Sequence, residues 1–405
     1  MTMPWVLRHP VLRPLAALCF LWAISFGLTI PFLTLTARDR GVSIDAIGLI
    51  AASYLITQIF LQYPFGALSD RVGRVGPLAL GIAVFAIATG GLVVADSTAA
   101  FIVLRAAQGI GFALGYPAFR ALVADVTAPG ERGRAYAAMG TAYSTGILIG
   151  PGIGGGFASA LSRDTLFLLT AILDVALALA VMVVLRGVGR RDMSHASAEH
   201  VPVRSAFTRP LLGAFLLAFA GYFQLGFVES IWGPYLAEMG GSDLVVGLSF
   251  TTVAIAKVAL QPWGGRLADR GDQPRLLLIG FTSLAFVMMG YGMMPWLTGI
   301  LVLGLCEGAA AAIAFPALDA LLASKSDPRI QGRVQGAFTS STMAGATISA
   351  LGGPLLYKVS PGLPFVIGGV ALVLVCPVAV GMIRGTRSPV PTPAAPAEAP
   401  TGIVS

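Results

Sequence analysis

Residues 66–74 read GALSDRVGR, and a stretch with the same spacing, GRLADRGDQPR, begins at Gly265, 199 positions after Gly66. Identities at the same ungapped offset continue on both sides of these stretches, from Gln62 and Gln261 to Gly154 and Gly353. Glycine and alanine are abundant, so single matches carry little weight. One constant offset that holds over most of the chain indicates an internal duplication.

The composition identifies the environment in which the two copies lie. The 405 residues are 56% hydrophobic and only 11% charged, against roughly 25% charged in a typical soluble protein. The mean hydropathy is +0.83. A soluble globule of this size could not cover its surface with so few charges, so the sequence predicts a polytopic membrane protein. A disordered chain, a disulfide scaffold and a DNA-binding domain are excluded on the same ground.

Apolar runs long enough to cross a bilayer, about 20 residues each, occur throughout the chain. We place twelve spans at about 15–36, 46–68, 76–95, 99–123, 134–161, 165–185, 208–237, 245–267, 275–294, 296–323, 332–357 and 361–384. They must be helices, because hydrocarbon offers their backbone groups no hydrogen-bond partner. With the duplication, they predict an all-α membrane protein with twelve transmembrane helices in two six-helix pseudo-repeats around a central cavity. This is the plan of a transporter whose halves rock.

The basic residues predict the orientation. With the N-terminus inside, most of the 26 lysines and arginines fall on the inner face, as the positive-inside rule requires. Those predicted on the outer face are Arg38, Arg40, Arg163 and Lys358. We therefore expect a multi-pass plasma membrane protein of the bacterial cytoplasmic membrane, with both termini cytoplasmic. The predicted domains are an N-terminal six-helix bundle (1–185), a cytoplasmic linker (186–206), a C-terminal six-helix bundle (207–387) and a disordered tail (388–405).

The stretch 66–74 resembles the G-x-L-a-D-r-x-G-r signature that follows the second span in the major facilitator superfamily. The residues that match are Gly66, Leu68, Asp70, Arg71, Gly73 and Arg74. In that family the last arginine commonly meets an acid at the end of span 4, which implies a contact between Arg74 and Asp125. The second copy keeps Asp269 and Arg270 but has Asp272 where the first has Gly73, so it departs from the signature at the turn.

A motif in span 5 narrows the resemblance. Its residues are Gly146, Gly150, Pro151, Gly154 and Gly155. They resemble the G-x-x-x-G-P-x-x-G-G motif of the 12-span drug/proton antiporters, and LRAAQG around Arg105 resembles the family's R-x-x-q-G motif in span 4. The resemblance implies secondary active transport, with proton-coupled export of small amphipathic or drug-like molecules by alternating access.

Charged residues within the spans are candidates for proton coupling, because an ionisable group in the membrane is costly unless it is paired or functional. The candidates are Glu229, Glu307, Asp174, Arg105 and Lys257. In the superfamily, spans 1, 4, 7 and 10 line the cavity, which favours Glu229 and Glu307 over Asp174. We expect Lys257 to pair with Glu307, which is nearest in depth by residue counting. Asp319 lies close to the inner end of span 10.

Aromatic and amide side chains on spans 1, 4 and 7 are candidates for the substrate cavity. They are Trp22, Phe26, Gln108, Phe112, Phe219, Tyr222, Phe223 and Trp232. Aromatic walls suit amphipathic or cationic ligands, although any single aromatic is more often a lipid-facing packing residue. Span 1 carries no acid, unlike many multidrug antiporters of this type, which leaves the location of coupling open.

Two functions remain open on the sequence: export of amphipathic molecules, or proton-coupled carriage of a sugar or organic anion, for which Arg105 and Lys257 would bind the anion. An enzyme or receptor has no motif in its favour. ATP-driven transport is excluded because no lysine follows a glycine as in a phosphate-binding loop. We expect no cofactor, no metal and no nucleic-acid partner. The expected partners are a small-molecule substrate, protons and the bilayer, with the monomer as the functional unit.

Overall fold

A computed structural model of the chain describes residue 6 and residues 8–128, 131–188, 207–270, 272–326 and 331–384, without the side chains of 133, 270 and 331–333. The described residues form helices α1 Leu12–Asp39, α2 Ile44–Val72, α3 Val75–Gly91, α4 Thr98–Asp125, α5 Arg132–Ala160, α6 Arg163–Val184, α7 Arg209–Glu238, α8 Asp243–Arg270, α9 Gln273–Met293, α10 Leu297–Lys325, α11 Gln331–Val359 and α12 Leu363–Arg384. Most of the predicted linker (186–206) and the whole predicted tail (388–405) lie outside the described residues.

Apolar content explains most of these helices. Nine of the helices in the described ranges are long and apolar enough to cross a membrane. The others are α3, which has 17 residues, and α5 and α11, whose sequences are rich in glycine, serine and threonine. Several helices extend a few residues beyond the predicted apolar runs, because polar and charged residues continue the helix past the hydrocarbon.

The helix ends define two faces of the molecule. We call the end that carries residues 66–74 the motif face and the other end the opposite face. Ser43, Ser97 and Ser162 cap α2, α4 and α6 at the opposite face, where each side chain accepts a backbone N–H from the first turn. At the motif face, α2 passes into α3 through Gly73, whose φ of +91° favours glycine.

The packing order of the first six helices is repeated in the last six. In the N-terminal half (α1–α6), α1 packs on α5, α2 on α4, and α3 on both α4 and α6. In the C-terminal half (α7–α12), α7 packs on α11, α8 on α10, and α9 on both α10 and α12. The halves meet through α5 against α8 and α2 against α11. The tertiary contacts therefore follow the duplication visible in the sequence.

The span-5 motif produces unusually close helix packing. A Cβ added to Gly146, Gly150 or Gly154 would lie 2.5–2.7 Å from a backbone oxygen of α1. Gly155 faces α8 of the other half, where an added Cβ would lie 2.6 Å from the Asp243 carbonyl oxygen. The motif thus packs α5 against its own half on one side and against the C-terminal half on the other.

Gly66 does not show the same close approach. A Cβ there would meet only Pro117 Cβ, at 3.6 Å, which is ordinary van der Waals contact. Close helix packing in this conformation therefore does not require a glycine at position 66.

Candidate functional site

A cavity of about 440 Å³ lies within the C-terminal half, bounded mainly by α7, α8 and α10, with Ser144 and Leu148 contributed by α5. Its polar wall includes Tyr222, Gln224, Lys257, Tyr291, Glu307 and Asp319. A mostly apolar pocket with a few convergent polar groups is the usual form of a small-molecule site. The cavity extends along α10 from Glu307 towards the motif face at Asp319.

Hydrogen-bond donors hold Glu307 at the end of the cavity that lies away from the motif face. Tyr291 Oη donates to Glu307 Oε2 at 2.6 Å, and the Gln224 side chain is within hydrogen-bonding reach. Tyr291 itself is 1% exposed and packs edge-on against Trp232, with 4.9 Å between ring centroids. The carboxylate therefore has a fixed position and still lines the cavity, where a ligand or a proton can reach it.

Lys257 does not form the expected ion pair with Glu307. The backbone of Lys257 packs against α10 at Gly308, where an added Cβ would lie 2.9 Å from Lys257 N. The Lys257 ammonium lies beside a different residue of α10, 5.6 Å from the ring centroid of Phe315. Phe315 is seven residues further along α10, about 10 Å towards the motif face. The ammonium thus lies beside Phe315 without an ion pair to Glu307, within electrostatic range of both Glu307 and Asp319.

A buried ion pair joins the two halves near this cavity. Arg105 Nη2 on α4 donates to Glu229 Oε2 on α7, with the side chains 3% and 4% exposed. Arg105 Nη1 also donates to Gln108 Oε1 at 2.8 Å, and the guanidinium lies 4.2 Å from the Tyr54 ring centroid. Both charges are therefore compensated in a dry environment, as buried charges must be.

Glu229 lies in an interruption of α7. The helix is broken at Tyr222 and adopts a π-helical turn at Val228–Trp232. Such turns are rare and frequently occur at functional sites. The same turn carries Trp232, whose Nε1 donates to Ser249 Oγ at 2.9 Å, so one irregular segment provides both the ion pair between the halves and part of the cavity wall.

Further contacts between the halves lie at the opposite face. Arg38 pairs with Glu238, which also accepts a hydrogen bond from Tyr357 Oη at 2.6 Å. Arg163 pairs with Asp243 at 2.7 Å. Lys358 pairs with Asp45, and a buried apolar cluster that includes Phe32 of α1 and Phe365 of α12 continues beneath these pairs. The opposite face is therefore closed in this conformation.

The motif face contains a charge network within the N-terminal half. Arg74 Nε donates to Asp125 Oδ2 at 3.0 Å, which confirms the predicted contact, and Arg74 Nη1 donates to Ser69 Oγ at 3.0 Å. Arg74 also pairs with Asp70, so two acids of the same half hold this arginine at the motif face.

The second copy of the motif differs at the turn. Asp272 has a φ of −73° where Gly73 has +91°, and it caps α9 by accepting the N–H of Arg275. Asp269 is exposed, and the side chain of Arg270 lies outside the described residues. The replacement of the glycine therefore changes the backbone at this turn and gives the acid a capping role.

The predicted cavity residues fall into two groups. Tyr222 and Trp232 line the cavity. Phe112 packs within the N-terminal half against Trp22 and Phe26, with ring centroids 5.5 and 6.0 Å away. The remaining candidates also make packing contacts: Phe219 with Phe223, and Gln108 with Thr89.

Asp174 lies apart from the cavity. Its side chain is fully buried on α6, and neither carboxyl oxygen has a hydrogen-bond partner among the described residues. The hydroxyl of Ser25 on α1 is the polar group within its reach. This position separates Asp174 from the other two membrane acids.

Several residues at the site are not evident from the sequence. Tyr291 lies on α9, which superfamily resemblance does not place at the cavity, and Tyr54 lies on α2 among many aromatic residues. Gln224 is a polar residue within an apolar span, and this signal could have identified it. Phe315 has no sequence feature that separates it from packing aromatics.

The helical plan and the cavity define the class of a membrane transporter. The family model of the Major Facilitator Superfamily matches residues 15–232 and 226–405, and the chain belongs to that family. It is 27% identical over 353 residues to the tetracycline resistance protein, class B, of Escherichia coli (83% of this chain, 85% of the relative). It is 28% identical over 338 residues to the multidrug resistance protein MdtG of Escherichia fergusonii (78% and 80%).

Solved structures share the fold at low sequence identity. A bacterial homologue of the human lysosomal transporter Spinster, in an inward-facing and unoccupied conformation, matches with a TM-score of 0.72 and 16% identity, covering 94% of this chain and 96% of that one. A POT family transporter in complex with a thioalcohol-conjugated peptide matches with a TM-score of 0.76 and 12% identity, covering 91% and 95%. These similarities establish the fold.

Proposed function

We propose that this protein exports small amphipathic, drug-like molecules in exchange for protons, by alternating access across a bacterial cytoplasmic membrane. The observation that carries the proposal is a cavity that contains the ionisable Glu307. Ion pairs between the halves close the cavity towards the opposite face, and the cavity extends towards the motif face. The relatives named for resistance to tetracycline and to multiple drugs support export as the direction.

The architecture belongs to the same proposal. Twelve transmembrane helices form two six-helix pseudo-repeats, with bundles at 1–185 and 207–387, and the cavity is bounded mainly by the C-terminal bundle. The motif face is cytoplasmic, since the basic residues concentrate there, and so are both termini. The monomer is the functional unit, because the cavity is bounded by helices of one chain.

Proton coupling is assigned to Glu307, with Glu229 in a different role. Glu307 lines the cavity, so its protonation changes the net charge that a substrate meets there. Glu229 is 4% exposed and its charge is compensated by Arg105. The Arg105–Glu229 pair acts as a latch between the halves, which must separate when the opposite face opens. The loss of the negative charge of Glu307 on protonation is what links proton entry to the release of a cationic substrate.

Carriage of an organic anion is the second candidate, since Lys257 lines the cavity. The two acids Glu307 and Asp319 line the same cavity, so an anion would meet more negative than positive charge. This charge balance favours the export of amphipathic molecules that are neutral or cationic.

Transport in proteoliposomes with an imposed pH gradient tests the proposal. A panel of cationic dyes, neutral drugs, sugars and organic anions is offered, and gradient-driven accumulation is measured. We expect accumulation of amphipathic cations that collapses with the gradient, and we expect Glu307→Gln to lose it while retaining downhill exchange. Glu131→Gln, which removes an acid at the start of α5 away from the cavity, serves as the control. Accumulation of sugars or organic anions alone would overturn the proposal.

A further inference from the structure

The charges that line the cavity do not balance. Glu307 and Asp319 are acids and Lys257 is the base that faces them. With both acids ionised, the three groups leave one negative charge without a partner. An uncompensated charge is costly in a site partly shielded from water. The cavity therefore favours a ligand whose positive charge compensates it.

The three charged groups are arranged in a row along α10. Glu307 and Asp319 are twelve residues apart, about 18 Å along the helix axis. The Lys257 ammonium lies between them, beside Phe315 and four residues short of Asp319. Asp319 is exposed within the cavity and accepts no hydrogen bond from the described residues, whereas Glu307 receives one from Tyr291. Asp319 is thus the acid that is available to a ligand.

Aromatic rings surround the position next to Asp319. Tyr222 packs edge-on against Phe315, with 6.0 Å between ring centroids, and both rings line the cavity. Aromatic faces attract cations and accommodate flat apolar groups. Lys257 already uses the face of Phe315 in this way, so a ligand cation would compete with the lysine for the same surroundings.

We propose that Lys257 sets the charge of the ligand that the cavity accepts. Its ammonium acts as a built-in cation that compensates one of the two acids, and the other acid, at Asp319, binds an aromatic amphiphile that carries a single positive charge. A ligand with two positive charges is rejected because Lys257 already holds one of the two cation positions. This inference rests on the proposed function, since it names the ligand class of the proposed transport cavity.

Binding of two matched dyes to the purified protein tests the inference. Ethidium and propidium share one aromatic ring system but carry one and two positive charges, and their fluorescence reports binding without transport. The wild type should prefer ethidium. Lys257→Met raises the net negative charge of the cavity to two, so the preference should shift towards propidium by about tenfold, or about 1.4 kcal/mol.

Charge compensation provides the second arm of the test. Asp319→Asn alone should weaken ethidium binding by about tenfold, because the cavity then has no net charge. The double variant Lys257→Met with Asp319→Asn again has one net negative charge and should recover the wild-type preference. Arg266→Gln is the matched control, because Arg266 lies on the same helix but is exposed, and its Nε donates to the Pro262 carbonyl oxygen one turn earlier. Lys257→Arg, which keeps the charge, should keep the preference.

The outcomes separate the inference from the function on which it rests. An unchanged ratio of the two affinities in Lys257→Met, or an equal shift in Arg266→Gln, refutes the charge-setting role even if proton-driven export is intact. Should Lys257→Met not yield folded protein, ethidium affinity that is unchanged by Asp319→Asn refutes it equally. A shifted ratio in a protein that shows no proton-driven transport leaves the inference standing and refutes the proposed function.

Discussion

Neutralising Glu229 should open the opposite face of the protein. The Arg105–Glu229 pair is 3% and 4% exposed, and breaking a buried pair from one side costs about 3–5 kcal/mol because the remaining charge stays in a dry site. Gln108 and Tyr54 still contact the arginine in Glu229→Gln, so we take the lower value, about 3 kcal/mol. Opening of the opposite face hydrates Arg105 and relieves this cost, so the ratio of open to closed molecules should rise on the order of a hundredfold.

Distance measurement between two spin labels is the assay. Val94 and Val359 lie at the opposite face in different halves and are 80% and 76% exposed, so labels there should report separation without disturbing the core. The three native cysteines are replaced beforehand. Glu229→Gln should add a population at longer distance, and the double variant Arg105→Met with Glu229→Gln should reduce it, because no unpaired charge then remains.

The control is an exposed pair between the same halves. Arg38 and Glu238 are 39% and 38% exposed, and pairs of this kind contribute about 0.2–1 kcal/mol. Glu238→Gln should therefore shift the same equilibrium by no more than roughly fivefold. The reasoning is refuted if Glu229→Gln has the same distance distribution as the wild type, or if Glu229→Gln and Glu238→Gln shift it equally.

Three further predictions concern other helices. Asp70→Asn should change the thermal stability by less than about 1 kcal/mol, because Asp70 is the half-exposed partner of Arg74, yet transport should be lost, since the acid serves a contact that changes between states. Asp174→Asn should retain gradient-driven export and thermal stability, because both carboxyl oxygens are buried without partners and no charge is lost from a pair. Gly155→Leu should fold but fail to transport, because its side chain would collide with α8, whereas Gly156→Leu should transport normally, since nothing lies within 4 Å of a Cβ there.

Each of these has a result that would contradict it. Wild-type transport rates in Asp70→Asn would show that the Asp70 charge at the motif face is not needed for transport. Loss of uphill but not downhill transport in Asp174→Asn would make Asp174 the coupling group in place of Glu307. Equal transport by the Gly155 and Gly156 variants, measured on protein inserted at equal levels, would show that the α5–α8 contact does not need its glycine.

The sequence was sufficient where the controlling interactions are local or generic. Apolar runs predict the helices because hydrocarbon leaves the backbone no other partner, and the duplication predicts the repeated packing order. The GALSDRVGR motif predicted the contact between Arg74 and Asp125, since a family pattern fixes both positions relative to helix ends. The spacing of Gly146, Gly150 and Gly154 also places these three glycines on one face of α5, because residues four apart on a helix share a face.

Only the tertiary structure decided which charges meet. Glu229 and Glu307 were equivalent candidates by sequence, but the π-helical turn of α7 directs Glu229 to Arg105 of the other half, while Glu307 remains at the cavity. Lys257 matches Glu307 in depth by residue counting, yet its ammonium lies beside the ring of Phe315 and forms no ion pair with Glu307. Residue counting gives the level of a Cα atom in the membrane, whereas the partner of a charge depends on helix rotation, local irregularity and the reach of the side chain. These are set by packing between helices far apart in the chain.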